Sequence, residues 1–310
     1  MEFKRNILLK QFTTFQIGGP AEYFVEISNI DELKETIQKA KELNKPIFIL
    51  GGGSNLLISD SGFEGVVARI KMVGVEIVED KEKVNMKVLS GTPLAMILQK
   101  AVEIGATGLE WAAGIPGTVG GAVVGNSGAY GQSMGNYVKK VSALELKDMT
   151  IRQFSQNECL FSYRDSIFKK NDTVILSAEL ELLKGNKDLI RQKVSEYIKE
   201  RKEKTPPYPS AGCIFKNIPI DQLSSNQLKQ IPEEKIKGGK VPVGYLIDQC
   251  GLKGKRIGDA QISEMHANFI INLGNATAAE VYKLINLCKE AVFNKFGIKL
   301  EEEIRYVGNF

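Results

Sequence analysis

The sequence predicts a protein that mixes helices and strands, with room for two or three domains in its 310 residues. Three observations carry that reading. Stretches of helical and of strand periodicity follow one another along the chain. Two long glycine tracts, over residues 51–57 and 114–131, interrupt them. A proline cluster, Thr205-Pro206-Pro207-Tyr208-Pro209, cannot be helix and marks a boundary late in the chain.

Residues 21–27 read as a strand, and 30–43 as an amphipathic helix with Ile30, Leu33, Ile37, Ala40 and Leu43 at helical spacing. With the apolar run 46–50 they make a β-α-β unit. Residues 66–70, 73–78 and 84–89 read as further strands. Thr92 as N-cap, with Pro93 at the first helical position, opens a helix over 94–104. Residues 141–146 and 173–183 are strands, and 189–203 is a charged helix running into the prolines. Beyond them, 243–250 and 267–273 are short elements. Thr277-Ala278-Ala279-Glu280 has the capping-box pattern at the start of a long helix, and 301–307 is a closing strand in which Glu301 and Glu303 share one face.

The first glycine tract, Gly51-Gly52-Gly53-Ser54-Asn55-Leu56-Leu57, sits where the strand 46–50 ends. Adjacent glycines allow positive φ and close approach of backbone to a ligand. Successive N–H groups, helped by Ser54 and Asn55, can then point at phosphate oxygens. The second tract, Gly114-Ile115-Pro116-Gly117-Thr118-Val119-Gly120-Gly121-Ala122 followed by Gly125-Asn126-Ser127-Gly128-Ala129-Tyr130-Gly131, suggests a second backbone surface closing on the same large ligand. Neither tract fits G-x-G-x-x-G between a strand and a helix, or G-x-x-x-x-G-K-[ST], so a Rossmann domain and a P-loop are disfavoured.

The net charge of +4 is small and its basic residues are scattered, which gives no electrostatic argument for nucleic acid. No signal-peptide core and no stretch of membrane-spanning length occurs, so a cytoplasmic protein without membrane insertion is expected. Four widely spaced cysteines without C-x-x-C, and the single histidine His266, indicate neither a disulfide framework nor a metal site.

Among residues that could do chemistry, Arg164 lies between aromatic and apolar neighbours in Phe161-Ser162-Tyr163-Arg164-Asp165-Ser166, and arginine is well shaped to grip a carboxylate. A surface pairing with Asp165 is the alternative. Cys213, in Ser210-Ala211-Gly212-Cys213-Ile214-Phe215-Lys216-Asn217, follows the proline boundary. A thiol with an ordinary pKa of about 8.5 can donate a proton or act as a nucleophile, while a buried structural cysteine is the plainer alternative. The run Glu301-Glu302-Glu303 reads by itself as a solvated face.

Taken together these segments resemble the UDP-N-acetylenolpyruvoylglucosamine reductases. The likeness runs almost end to end, through Thr13–Ala21, both glycine tracts, Tyr163-Arg164-Asp165-Ser166, Ala211–Asn217, Leu246–Gly254 and Leu300–Arg305. It implies an α+β fold with an FAD-binding half of the vanillyl-alcohol-oxidase type, made of two subdomains (1–72 and 73–204). A substrate-binding domain (205–298) and a C-terminal strand carrying the catalytic glutamate (299–310) follow. It implies FAD held by both glycine tracts, NADPH as reducing cosubstrate, a UDP-sugar substrate and a monomeric protein. Arg164 and Glu303 would face the substrate carboxylate, with Glu303 protonated or bonded to a donor, and Cys213 would protonate C2. Much of the family has serine at that position. Lys204, Asn217, Lys253 and His266 fall at substrate-contacting positions. The short stretch between Leu183 and Pro206 implies the subgroup without a capping tyrosine loop. Two other readings remain open on the residues: an FAD-dependent oxidase or dehydrogenase of another substrate, and a non-catalytic flavin- or nucleotide-sugar-binding module.

Overall fold

The computed structural model describes residues 2–310. It divides into two compact units that are each discontinuous in sequence. The first takes the chain up to Ile7, Ala21–Gly52 and Glu64–Arg201; the second takes Leu8–Pro20, Gly53–Phe63 and Lys202–Phe310.

The first unit holds two sheets, and Leu144, Val174 and Leu176 of the second pack into the core of the first. A four-stranded sheet has the order Lys4–Leu8, Pro20–Ile27, Phe63–Ile70, Ile47–Leu50, the last two running parallel. The helix Ile30–Glu42 covers it, burying Leu33 and Ile37 with Val25, Ile27, Val66 and Ala68. The Asn29 side-chain oxygen caps that helix by accepting from the Glu32 N–H at 2.9 Å. The second sheet is antiparallel along the path Ile151–Ser155, Val138–Glu145, Thr173–Lys184, Lys83–Leu89, Val75–Glu79. Alternation along Lys83–Leu89 sends Val84, Met86 and Val88 inward to meet Leu94, Ile97 and Leu98 of the helix Leu94–Ile104.

The start of that helix corrects the sequence expectation. Pro93, not Thr92, is the N-cap, and it makes no side-chain cap. The Thr92 hydroxyl instead donates to the Gly74 carbonyl and accepts from the Gly74 N–H, both at 3.1 Å, so the side chain closes a loop. Only Gly185 and Asn186 separate the strand Thr173–Lys184 from the helix Lys187–Lys204, which leaves no room for an inserted loop there.

In the second unit the helix Ala278–Phe296 lies at the centre of one apolar core with Leu246, Ile247, Ile262, Ile270 and Phe215. Its capping box forms as expected, with the Thr277 hydroxyl accepting from the Glu280 N–H and the Glu280 carboxylate accepting from the Thr277 N–H. The Asp60 carboxylate also accepts from the first-turn N–H groups of Ala278 and Ala279, at 2.8 and 3.0 Å. The early strand Leu56–Ile58 pairs in parallel with Arg305–Val307. The closing strand is therefore shorter than its alternation suggested: regular pairing with Leu56–Ile58 begins only at Arg305, and Glu301–Glu303 pair elsewhere, as described below. None of the described helices is long and apolar enough to cross a membrane.

Candidate active site

The first glycine tract leaves the strand Ile47–Leu50 and meets the second tract backbone to backbone. A Cβ on Gly52 would stand 2.6 Å from the Gly117 Cα, and one on Gly51 would stand 2.8 Å from the Thr118 hydroxyl oxygen. Contact that close leaves a strip without side chains. Such a strip lets a diphosphate come within hydrogen-bond reach of backbone, so the residues present suit a dinucleotide cofactor. Gly53 is required for a different reason. Its φ of +62° suits glycine, and its missing Cβ would fall 1.9 Å from the Phe12 carbonyl oxygen.

The rest of the tract turns to another partner. The Asn55 amide donates to the Glu303 carbonyl at 2.9 Å, and its own carbonyl accepts from the Arg305 N–H at 2.9 Å. Leu56 is a strand residue paired with Arg305. Asn55, read from sequence as a phosphate contact, is thus fastened through its side chain to the segment that carries Glu303.

The second tract contains a helix that its glycines concealed. Thr118 caps Val119–Gly125, the Gly117 carbonyl accepts from Leu94, and the N–H groups of Val119 and Gly120 go to Thr92 and Ser90. The Gly120 N–H is thus taken up within the fold by the Ser90 carbonyl. Gly114 lies against the Arg201 side chain, whose Nε donates to Ala113. Ile115 donates its N–H to the Ala112 carbonyl, and Pro116 precedes the turn at Gly117, whose φ is +128°. Gly121 donates to the Thr118 hydroxyl.

Further along, Gly128–Ala129 pair with Gln132–Ser133 across a turn in which Tyr130 and Gly131 both have positive φ, +53° and +77°. That is the type I′ pattern, unusual for an aromatic residue. The Tyr130 ring stacks on Tyr197 with centroids 3.7 Å apart and planes 8° from parallel.

Arg164 sits at the tip of a tight hairpin. Ser162 and Asp165 exchange N–H···O bonds of 3.1 and 3.2 Å, and Arg164 itself has φ +56°. Asn126 holds this hairpin: its NH2 donates to the Ser162 carbonyl at 2.7 Å and its oxygen accepts from the Gly135 N–H at 2.9 Å. Ser166 donates to the Val124 carbonyl, and the Lys169 ammonium donates to the Arg164 carbonyl. The glycine-rich helix and the arginine thus form one local structure within the first unit.

Within the second unit, Cys213 and Glu303 lie on neighbouring paired segments. The Glu303 N–H donates to the Ile214 carbonyl at 2.7 Å, Lys216 N–H donates to Glu301 at 2.9 Å, and Phe215 faces Glu302 across an antiparallel bridge. On its other side Cys213 pairs with Phe269. Side chains of the acidic run go to lysines: Lys216 to Glu301 at 2.5 Å, and Lys289 to Glu302 at 2.8 Å. The Glu303 N–H bond to Ile214 sets its backbone directly against Cys213's neighbour.

The proposed substrate contacts are distributed as follows. His266 is largely buried, and burial, with Lys253 nearby, pushes its pKa below the usual value. Its Nδ1 accepts from the Asn268 N–H at 3.2 Å, which leaves the proton of the neutral ring on Nε2. Asn217 accepts from the Val243 N–H at 3.1 Å and so steadies the helix Val243–Gln249. Lys253 pairs with Asp248 at 3.1 Å. Lys204 is the last residue of the helix Lys187–Lys204. Asn268 was not singled out from the sequence. Its one available signal is a polar residue inside the apolar stretch Ala267-Asn268-Phe269-Ile270.

Comparison with known proteins accounts for both halves of the chain. Residues 21–152 match the FAD binding domain model, and residues 203–307 match the model of the UDP-N-acetylenolpyruvoylglucosamine reductase C-terminal domain. The chain is 41% identical to the reductase of that name from Anoxybacillus flavithermus over 98% of this chain and 94% of that one. It is 38% identical to the Clostridium novyi reductase over 99% and 92%. The crystal structure of the Thermus caldophilus reductase superposes with a TM-score of 0.78 at 32% identity, covering 99% of this chain and all of that one. With the glycine tracts in the matched FAD-binding region, and the segments that carry Cys213 and Glu303 in the matched C-terminal region, the chain belongs to the UDP-N-acetylenolpyruvoylglucosamine reductase family.

Proposed function

We propose that this protein reduces the enolpyruvyl ether of UDP-N-acetylglucosamine to UDP-N-acetylmuramate at the expense of NADPH, a cytoplasmic step in building peptidoglycan. The observation that supports the reading best is the pairing of Ile214–Lys216 with Glu301–Glu303, which brings a thiol and a carboxylate of the expected kinds onto adjacent segments. Gly51–Asn55 and the second glycine tract would hold FAD. The chemistry that bound FAD would supply is hydride transfer, from NADPH to the substrate's C3.

The chain's own residues then have definable tasks. The Arg164 guanidinium grips the substrate carboxylate and offsets the negative charge that builds toward C2 and that carboxylate. Glu303 shares the carboxylate, which requires it to be protonated or to accept a hydrogen bond from a donor. The Cys213 S–H bond breaks as C2 takes the proton, and the thiolate is reprotonated from water before the next cycle. Lys204 and Lys253 offer positive charge to the diphosphate, Asn217 offers its amide, and neutral His266 donates through Nε2.

The test is a visible spectrum under anaerobic conditions, with NADPH added first and the UDP-enolpyruvyl sugar second. Bleaching of the flavin band followed by recovery on adding the sugar is expected. Bleaching without recovery would discard the substrate, and the absence of colour after reconstitution with FAD would discard the cofactor. In Cys213→Ala, bleaching by NADPH should proceed normally while recovery slows by about 100-fold or more. Equal loss in both steps would remove Cys213 from the role of proton donor.

A further inference from the structure

One buried side chain, outside every role assigned above, takes the place of a missing strand beside Cys213. The segment Ile214–Lys216 is paired along one edge, where the Ile214 carbonyl accepts from Glu303 and the Lys216 N–H donates to Glu301. Along its other edge Cys213 pairs with Phe269, and the Ile214 N–H donates to the Asn268 carbonyl at 2.8 Å. A regular strand would next offer a backbone donor and acceptor to Phe215, but the chain turns away at His266–Asn268. The Asn268 side chain supplies both: its oxygen accepts from the Phe215 N–H at 3.0 Å, and its NH2 donates to the Phe215 carbonyl at 2.8 Å. It is 2% exposed. The Asn268 N–H in turn donates to His266 Nδ1.

We infer that Asn268 is the positioning residue that sets Cys213 in register with Glu303, an inference that rests on the proton-donor reading of Cys213. Only an amide fits this place. Both backbone groups of Phe215 are buried and need one acceptor and one donor on the same short side chain, which asparagine alone provides at this length. Phe215 is also the residue that faces Glu302 across the bridge. A shift of Phe215 therefore disturbs two neighbours at once, Ile214 next to Cys213 and Glu302 next to Glu303. Leucine would leave both backbone groups unsatisfied, and aspartate would set a carboxylate oxygen against the Phe215 carbonyl.

The test uses the flavin-loaded enzyme carrying Asn268→Asp, with the two half-reactions followed separately and Cys213 alkylation by iodoacetamide measured peptide by peptide. Flavin reduction by NADPH should stay within about twofold of the parent, and the limiting rate of reoxidation by the UDP-enolpyruvyl sugar should fall by about tenfold or more, with little change in half-saturation. The alkylation rate of Cys213 should change severalfold in protein with or without flavin, while Cys250, also partly accessible, keeps its rate. Should Asn268→Asp fail to fold, Asn268→Ser, with space for a water and one remaining bond to Phe215, should give the same pattern at smaller amplitude. Equal slowing of both half-reactions, or an unchanged Cys213 alkylation rate in folded variants, would overturn the inference. Reoxidation at the parent rate in Cys213→Ala would instead sink the proton-donor reading while leaving the alkylation result to report on the register.

Discussion

The hairpin that carries Arg164 and the paired segments that carry Cys213 and Glu303 are held by contrasting means. Arg164 is fixed locally and under strain, with φ +56° at a tip fastened by Asn126, Ser166 and Lys169. Cys213 and Glu303 are fixed by hydrogen bonds between segments far apart in sequence, and neither has a positive φ. Each arrangement uses a buried asparagine, but Asn126 restrains a turn whereas Asn268 completes a sheet edge. A strained tip keeps one side chain aimed at the cost of stability; a paired edge keeps two side chains in register at little conformational cost.

The sharpest way to break that contrast is Arg164→Gly. Removing the side chain should raise the barrier of substrate reduction by about 3 kcal/mol, while relieving the left-handed backbone should stabilise the protein by about 1 kcal/mol. Activity and melting temperature would then move in opposite directions, and a lower melting temperature would show that the hairpin is not strained. Asn126→Ala, which loses two buried bonds at a residue with φ +43°, should cost about 2 kcal/mol in a denaturant melt. A cost near zero would mean that the remaining side chains suffice to hold the tip.

On the paired side, Asn55→Ala removes one bond to the Glu303 carbonyl and should cost about 1 kcal/mol, with reoxidation slowed more than reduction. Uniform slowing would make Asn55 a cofactor contact only. The smallest effect concerns pH. Because burial lowers the His266 pKa, the folded protein binds fewer protons there than the unfolded chain. That contribution is present above the unfolded value of about 6.5 and lost as pH falls through the folded value. His266→Gln should therefore flatten the acid side of the stability profile, read from melts over pH about 5–7.

The same contrast explains what was legible in the sequence. The helix Ile30–Glu42 and the Thr277 capping box were readable because their signals lie within a few residues. The parallel pairing of Leu56–Ile58 with Arg305–Val307 and the contact of Asn55 with Glu303 were not, since neither segment encodes its partner. The helix Val119–Gly125 was hidden by three glycines, whose poor helix propensity is overridden by the Thr118 cap and by packing of Val119, Ala122 and Val123. Thr92 was misread because a hydroxyl beside Pro93 fits a cap by spacing, yet found Gly74 instead.

The interleaving of the second unit has a consequence for synthesis. Leu56–Ile58 leaves the ribosome early, fully apolar and destined for burial, whereas its partner Arg305–Val307 follows nearly the whole chain later. At about 5–20 residues per second the nascent strand waits on the order of ten seconds or more with an open edge. The first unit can gather its contiguous stretch Glu64–Arg201 during that delay, but the second closes only when the late strand arrives. Chaperone dependence in the cell should therefore follow the availability of those few late residues more closely than the stability of the finished protein.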